Sequence, residues 1–353
     1  MRPDNRPLYI PTLSVRPAEV RAYSELPETT KDDILPLFLL RPWLSAKDLQ
    51  AARDRIIECV GERPFFLDLD DFYSKLSDRP ASQDFHSIKN GHGDYSAWIE
   101  EIRNFPNAIP MLKVDKDGDF APQLDAFAEL GRGVGIRIRG TDTHKLDKIH
   151  EAMSAALQST QVSLNIDLGD KFNKEFQELG ARNITERYLH ESRLSSVTFT
   201  ATSFPHTLKG IDRSEIVERT EFINLQSHFQ NPKLIFGDRG SSRLPSDSGG
   251  GGAPAPRVDY PTANEWVIFR QEAEDIDRQS AYQLACSRAI QSDDWNSEVR
   301  IWGTQAIERT SVGEDDIRSP ASSTAARINI HLHIQRSYGD ETLLLATDDD
   351  YVD

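Results

Sequence analysis

Two cysteines, Cys59 and Cys286, are all that 353 residues contain. They stand in helix-like stretches far apart in the chain, so a disulfide framework is excluded. Two free buried thiols in a reducing cytoplasm are expected. Long apolar runs are also missing. None approaches the roughly 20 residues that cross a bilayer, so no membrane association is expected. The opening Met1-Arg-Pro-Asp-Asn-Arg-Pro7 lacks the apolar region of a signal peptide. Positive charge is scarce: 41 lysines and arginines against 57 aspartates and glutamates leave a formal charge of −16. That argues against a broad nucleic-acid or anionic-membrane surface but leaves room for a local basic pocket. Part of the excess is the tail Asp348-Asp349-Asp350, read as a solvated terminus. No Gly-rich dinucleotide fingerprint follows the first strand.

What is present is a rhythm. Eight segments read as strands: 9–16, 34–40, 64–70, 108–115, 133–139, 162–168, 196–202 and 234–238. Helical patterns separate most of them. Ser45 resembles an N-cap for a helix to Val60, with Leu49, Ile56, Ile57 and Val60 on its inner stripe and Gly61 as its stop. The polar stretch Ser77–Gly93 reads as a surface loop, and 214–228 as a helix. Eight alternations point to an α/β fold, a (β/α)8 TIM-like barrel over 1–240. A flexible Gly/Pro-rich loop follows at 241–262. It holds Gly249–Gly252 but no Lys-Ser/Thr of a nucleotide loop. Residues 263–353 read as an α+β extension packed on the barrel. Its Ile328-Asn-Ile-His-Leu-His-Ile334 alternates like an edge strand with an exposed polar face. His331 and His333 could supply two zinc ligands, but no third is near.

In such barrels the C-terminal strand ends build the site, and the less apolar strand face lines the lumen. Period two in Pro64-Phe-Phe-Leu-Asp-Leu-Asp-Asp71 sends Phe65, Leu67 and Leu69 to the helices, and Phe66, Asp68 and Asp70 inward. The rule also selects Ser14 and Arg16, Lys113 and Asp115, Arg137 and Arg139, Asn165 and Asp167, Thr200 and Thr202, and Asp238. Asp71 and Asp170 read instead as caps of the following turns. So many lumenal charges must pair or stay wet, which favours a functional site over a neutralising network.

Two chemistries fit. Asp68, Asp167 and Asp238 could hold magnesium or manganese, with Asp68, Asp70, Lys113 and Asp167 acting on a phosphoester. Arg16, Arg137, Arg139, Asn165, Thr202 and Asp238 would then bind the substrate. A carboxylate pair could instead process a glycoside. Asp68 and Asp70 make a poor pair for that, lying about 7 Å apart along one strand.

The segments Tyr9-Ile-Pro-Thr-Leu, Ile34-Leu-Pro-Leu, Phe65-Phe-Leu-Asp-Leu, Ala108-Ile-Pro, Gly135-Ile-Arg-Ile-Arg139, Phe236-Gly-Asp238 and Asn329-Ile-His-Leu-His-Ile334 resemble those of the beta protein family of phages and bacterial genomes. The resemblance implies a barrel-like domain in a phage-related or antiphage-defence setting, and carries over no catalytic residue. The expected function is binding, with metal-dependent hydrolysis as the candidate reaction, of a phosphorylated small molecule, nucleotide or nucleic-acid end. The alternative is a non-catalytic interaction component that binds protein partners of a defence system through 260–340.

Overall fold

The computed structural model describes residues 7–74, 76–91, 93, 95–244, 254–271, 276–314 and 316–347. His92, Gly249–Gly252 and Asp348–Asp350, on which expectations were placed, lie outside the described residues.

Strands and helices alternate: β1 (Thr12–Ser14), α1 (Pro17–Ser24), α2 (Glu28–Asp33), β2 (Leu37–Leu40), α3 (Gln50–Val60), β3 (Phe65–Leu69), α4 (Pro80–Lys89), α5 (Ser96–Arg103), β4 (Ala108–Leu112), α6 (Ala121–Glu129), β5 (Val134–Arg139), α7 (Leu146–Ser159), β6 (Val162–Asp167), α8 (Phe172–Glu178), α9 (Ala181–Tyr188), β7 (Leu194–Thr200), β8 (Arg213–Glu215), α10 (Val217–Phe229) and β9 (Leu234–Phe236). Then come β10 (Arg257–Pro261), β11 (Glu265–Arg270), α11 (Arg278–Ile290), α12 (Trp302–Ser311), α13 (Pro320–Arg336) and α14 (Glu341–Leu344).

Eight strands form one sheet in the order β1-β2-β3-β4-β5-β6-β7-β9, with every pairing parallel. The sheet is curled and flanked by helices, as an α/β chain requires. Its ends meet through main-chain bonds. The Ile10 N–H donates to the Phe236 carbonyl at 2.9 Å, and the Thr12 N–H to the Asp238 carbonyl at 2.8 Å.

Alternation sorts the side chains. Phe65, Leu67 and Leu69 join the large core beneath the helices. Phe66 points inward, into a small cluster with Ile10, Leu37, Leu39, Met111 and Ile235. Each fully buried side chain of this size contributes about 1.5–3 kcal/mol.

Several local expectations are corrected. Ser45 is not a cap; its φ is +62°, and α3 starts only at Gln50. Ile57 lies on the exposed side of that helix. The stretch 77–93 is not a plain loop, because α4 occupies its middle. Pro80 sits in the first turn of α4, and Ala81, Phe85 and Ile88 form a buried stripe among polar neighbours. The helix expected from Ser214 begins at Val217, since Arg213–Glu215 pairs antiparallel with β11 as a strand.

The largest correction concerns Ile328–Ile334, which is part of helix α13 rather than an edge strand. Its start is marked by Ser319, whose side chain accepts the Ser322 N–H, and by Pro320. The helix packs against α1, α12 and β10, so polar and apolar residues alike are buried and no period-3.6 stripe shows. Asn329 ties it down: its amide donates to the Ala22 carbonyl at 2.9 Å and accepts the Gly303 N–H at 2.9 Å. Gly303 permits this approach, because a Cβ there would lie 2.7 Å from the Ala326 carbonyl oxygen. Ile328 and Leu332 of α13 belong to the core of the eight-stranded sheet. The smaller sheet β10-β11-β8 borrows β8 from the connection after β7.

Candidate functional site

The inner face of the sheet changes character along the strands. Above the apolar floor comes a hydroxyl and amide layer. Asn165 donates to the Thr200 hydroxyl at 2.8 Å, and Thr12 lies 3.4 Å from the same oxygen. Above that, at the strand C-terminal ends, sits a charge network. β5 places Arg137 opposite Asn165 of β6, and Arg139 opposite Asp167. Arg137 donates to Asp68 at 2.7 Å and to Asp167 at 3.1 Å, and lies 3.5 Å from Asp71. Lys113 donates to the other Asp68 oxygen. Arg239 donates to Asp167 at 2.5 Å.

Arg137 is only 4% exposed. Burial alone would lower its pKa, but the charges of Asp167, Asp68 and Asp71 outweigh that and raise it. Asp167 feels the mirror image. Burial pushes its carboxyl up, while Arg239 and Arg137 pull it below the usual range.

The network opens on a pocket of about 280 Å³ at the ends of β3, β4 and β5. Five cations line it, Lys89, Lys113, Arg137, Arg139 and Lys145, against four carboxylates, Asp68, Asp71, Asp115 and Asp142. That leaves one positive charge in a chain of net −16. Arg139 is 33% exposed and reaches Asp71 and Asp142, each at 2.9 Å. Lys145 donates to the Val114 carbonyl at 2.7 Å and lies 3.5 Å from Asp142. Asp71 is buried enough to raise its pKa, but Arg137, Lys113 and Arg139 draw it well below the usual range. Lys89, at the end of α4, differs from the others. Its ammonium donates to the main-chain oxygens of Asp71 at 2.8 Å and Tyr73 at 3.2 Å, and among the described residues it has no carboxylate partner. Burial lowers its pKa, with Asp71 and Asp70 opposing.

Of the residues expected from sequence, Asp68, Lys113, Arg137, Arg139, Asn165 and Asp167 come together here. Others do not. Asp70 is fully buried and turned to Arg41 at 3.2 Å, so it does not share the pocket with Asp68. Asp71, expected to cap a turn on the opposite side, lines the pocket because the chain turns as soon as β3 ends. Arg16 lies 4.0 Å from Glu19. Thr202 accepts the Phe204 N–H at 3.3 Å, a bond internal to its own turn.

Asp238 is on the other side of the sheet. Ile235 points inward and Phe236 outward, so parity sends Gly237 and Arg239 inward. Gly237 confirms this, since a Cβ there would meet the Thr198 methyl at 2.3 Å. Asp238 faces α13. It accepts from the Tyr9 hydroxyl, from His331 Nε2 at 2.6 Å and from the Gly240 N–H at 2.7 Å. Burial raises its pKa, but the charge and hydrogen bond of His331 lower it further, to a net fall.

His331 and His333 are fully buried rather than exposed. His333 accepts from the Thr30 hydroxyl at 2.8 Å and donates to the Leu344 carbonyl at 2.8 Å, and burial lowers its pKa to about 4.

The donor set does not fit a divalent metal. Asp68 and Asp167 have cations against them, and Asp238 lies across the sheet. Among the described residues no group of three or more His, Cys, Asp or Glu is arranged to hold one. Sequence reasoning missed Lys89, Asp142, Lys145 and Arg239. Parity in β9 could have found Arg239.

The chain matches the family model described as Beta protein over residues 9–337. It is 25% identical over 339 residues to a protein named Protein beta of Enterobacteria phage P4, covering 93% of this chain and 92% of the phage protein. No solved structure matches. The chain belongs to the Beta protein family. Among the described residues, no helix is long and apolar enough to cross a membrane.

Proposed function

We propose that this member of the Beta protein family is a (β/α)8 barrel of the TIM type whose strand-end pocket binds the phosphate of a phosphorylated small molecule, nucleotide or nucleic-acid end. Barrel closure is supported by the bonds from Ile10 and Thr12 to the segment 236–238. The observation that carries the binding reading is Lys89, a half-buried ammonium in a charged pocket that, among the described residues, is bonded only to main-chain oxygens. An anion would complete its shell. Arg139, one-third exposed and already gripped by two carboxylates, presents a planar donor fork beside it. Arg137 is flanked by three acids and holds the rim in place. The free thiols Cys59 and Cys286 favour a cytoplasmic setting.

Titration calorimetry with inorganic phosphate and ribose 5-phosphate tests the reading. Lys89→Gln and Arg139→Gln should each weaken binding about tenfold or more while the protein stays folded. Unchanged affinity in both variants, or no binding by the unaltered protein, overturns it. Hydrolysis would use Asp71, a partly exposed acid of the pocket beside Arg137 and Arg139, as a positioning group for water.

A second reading, a partner-binding component of an antiphage system, is favoured by Leu44 at 67%, Leu76 at 70% and Phe72 at 39% exposure. All three are on connections that follow β2 and β3, at the pocket end of the molecule.

A further inference from the structure

Next to the anion pocket is a second depression, of about 310 Å³, between the connection after β2 and the one after β3. Arg41, Trp43, Tyr73, Ser77, Arg79 and Ser82 are among the residues lining it. The two cavities share a wall. Asp71 lines the first and Tyr73 the second, and the Lys89 ammonium holds the main-chain oxygens of both.

The chemistry of the second cavity is different from that of the first. The Arg41 guanidinium lies 4.8 Å from the centre of the Tyr73 ring, and that ring also stacks on His86 at 5.8 Å. Trp43 supplies another flat surface, with Arg55 over it at 5.7 Å. Arg79 is exposed and, among the described residues, has no ion-pair partner. Flat rings, planar cations and serine hydroxyls suit a heteroaromatic ring, which stacks on either and accepts hydrogen bonds at its edge.

We propose that this depression is a base-binding subsite and that the ligand of the anion pocket is a nucleotide, its base against Trp43 and Arg41 and its phosphate at Lys89 and Arg139. The inference rests on the anion-pocket reading. From Asp71 to Tyr73 the wall spans two residues, at most about 7 Å, which a ribose joining base to 5′-phosphate can bridge.

The test is calorimetric titration with ribose 5-phosphate and, separately, AMP, GMP, CMP and UMP. At least one nucleotide should bind about tenfold tighter than ribose 5-phosphate, a difference of about 1.4 kcal/mol, within the range of stacking one base. Trp43→Ala should erase that excess and leave ribose 5-phosphate affinity unchanged, while Trp43→Phe keeps most of it. Equal affinity for nucleotides and ribose 5-phosphate overturns the base subsite but leaves the anion pocket standing. Equal loss of both ligands in Trp43→Ala also overturns it, since the ring would then only support the fold. Binding of none of the five overturns both readings.

Discussion

Two buried polar networks flank the same sheet and serve opposite ends. Inside the curl, Arg137 faces three acids, and the surplus charge spills toward an open pocket through Arg139, Lys89 and Lys145. Outside it, Tyr9, Asp238 and His331 form a closed set under α13, with the His331 ring stacked on Trp266 at 6.0 Å. The outer set resembles a catalytic grouping in composition, yet it has no opening. Its position at the seam between the eight-stranded sheet and the C-terminal helices makes it a joint. Access, more than residue type, separates a site from a fastening.

Removing the keystone of the inner network should have the largest effect. Arg137→Met leaves Asp68, Asp167 and Asp71 without their shared cation, and a loss of about 3–5 kcal/mol is expected in urea unfolding. A loss below about 1 kcal/mol would mean the acids are adequately held by Lys113, Arg139 and Arg239. The outer joint should rank second. Asp238→Ala strands the Tyr9 hydroxyl and His331, and about 2–3 kcal/mol should be lost. Phosphate titration should not change in this variant; if it does, the two networks are coupled across the sheet.

Acidity provides a third contrast. Glu218, beside the joint, accepts from the Ser203 N–H at 3.1 Å, and burial with the nearby Asp238 charge pushes its pKa from 4.5 up to about 8. The folded chain therefore keeps a proton that the unfolded chain releases near 4.5. Its contribution is fully present below that pH and is lost as pH rises toward about 8. Melting temperature should fall across this window, and Glu218→Gln should flatten the fall. A slope identical to that of the unaltered protein would remove Glu218 as its source. The smallest stability effect is expected at Lys89→Gln, within about 0.5 kcal/mol, because the shorter amide can still donate to one of the two loop oxygens that the ammonium holds. Denaturant midpoints of this variant and of Arg137→Met would then separate ligand-holding from fold-holding cations.

Much of this was legible from alternation. Period two is enforced wherever a strand lies between a helix layer and an interior, so Phe65, Leu67 and Leu69 declared one face, and Asp68, Arg137 and Asp167 the other. Alternation stops where strands stop. Asp71 sits one residue beyond Asp70 but after the turn, and Lys89 and Lys145 come from helical segments whose reach no spacing encodes. Asp238 was misplaced because its charge was weighed above its parity. The α13 segment alternates by coincidence: a helix buried on every side puts no premium on which positions are polar, provided each finds a partner as Asn329, His331 and His333 do.

The contact between Asn329 and Ala22 has a consequence for synthesis. During translation, α1 emerges about 300 residues before the helix that covers it, and Ile10 likewise waits for Phe236. One edge of the amino-terminal strand must therefore wait for residues 236–238, and one face of its helix stays uncovered until almost the whole chain has been made. Pairings this distant slow folding. Assembly should finish late and in one concerted step, with the last long helix acting as the closing clasp on the first.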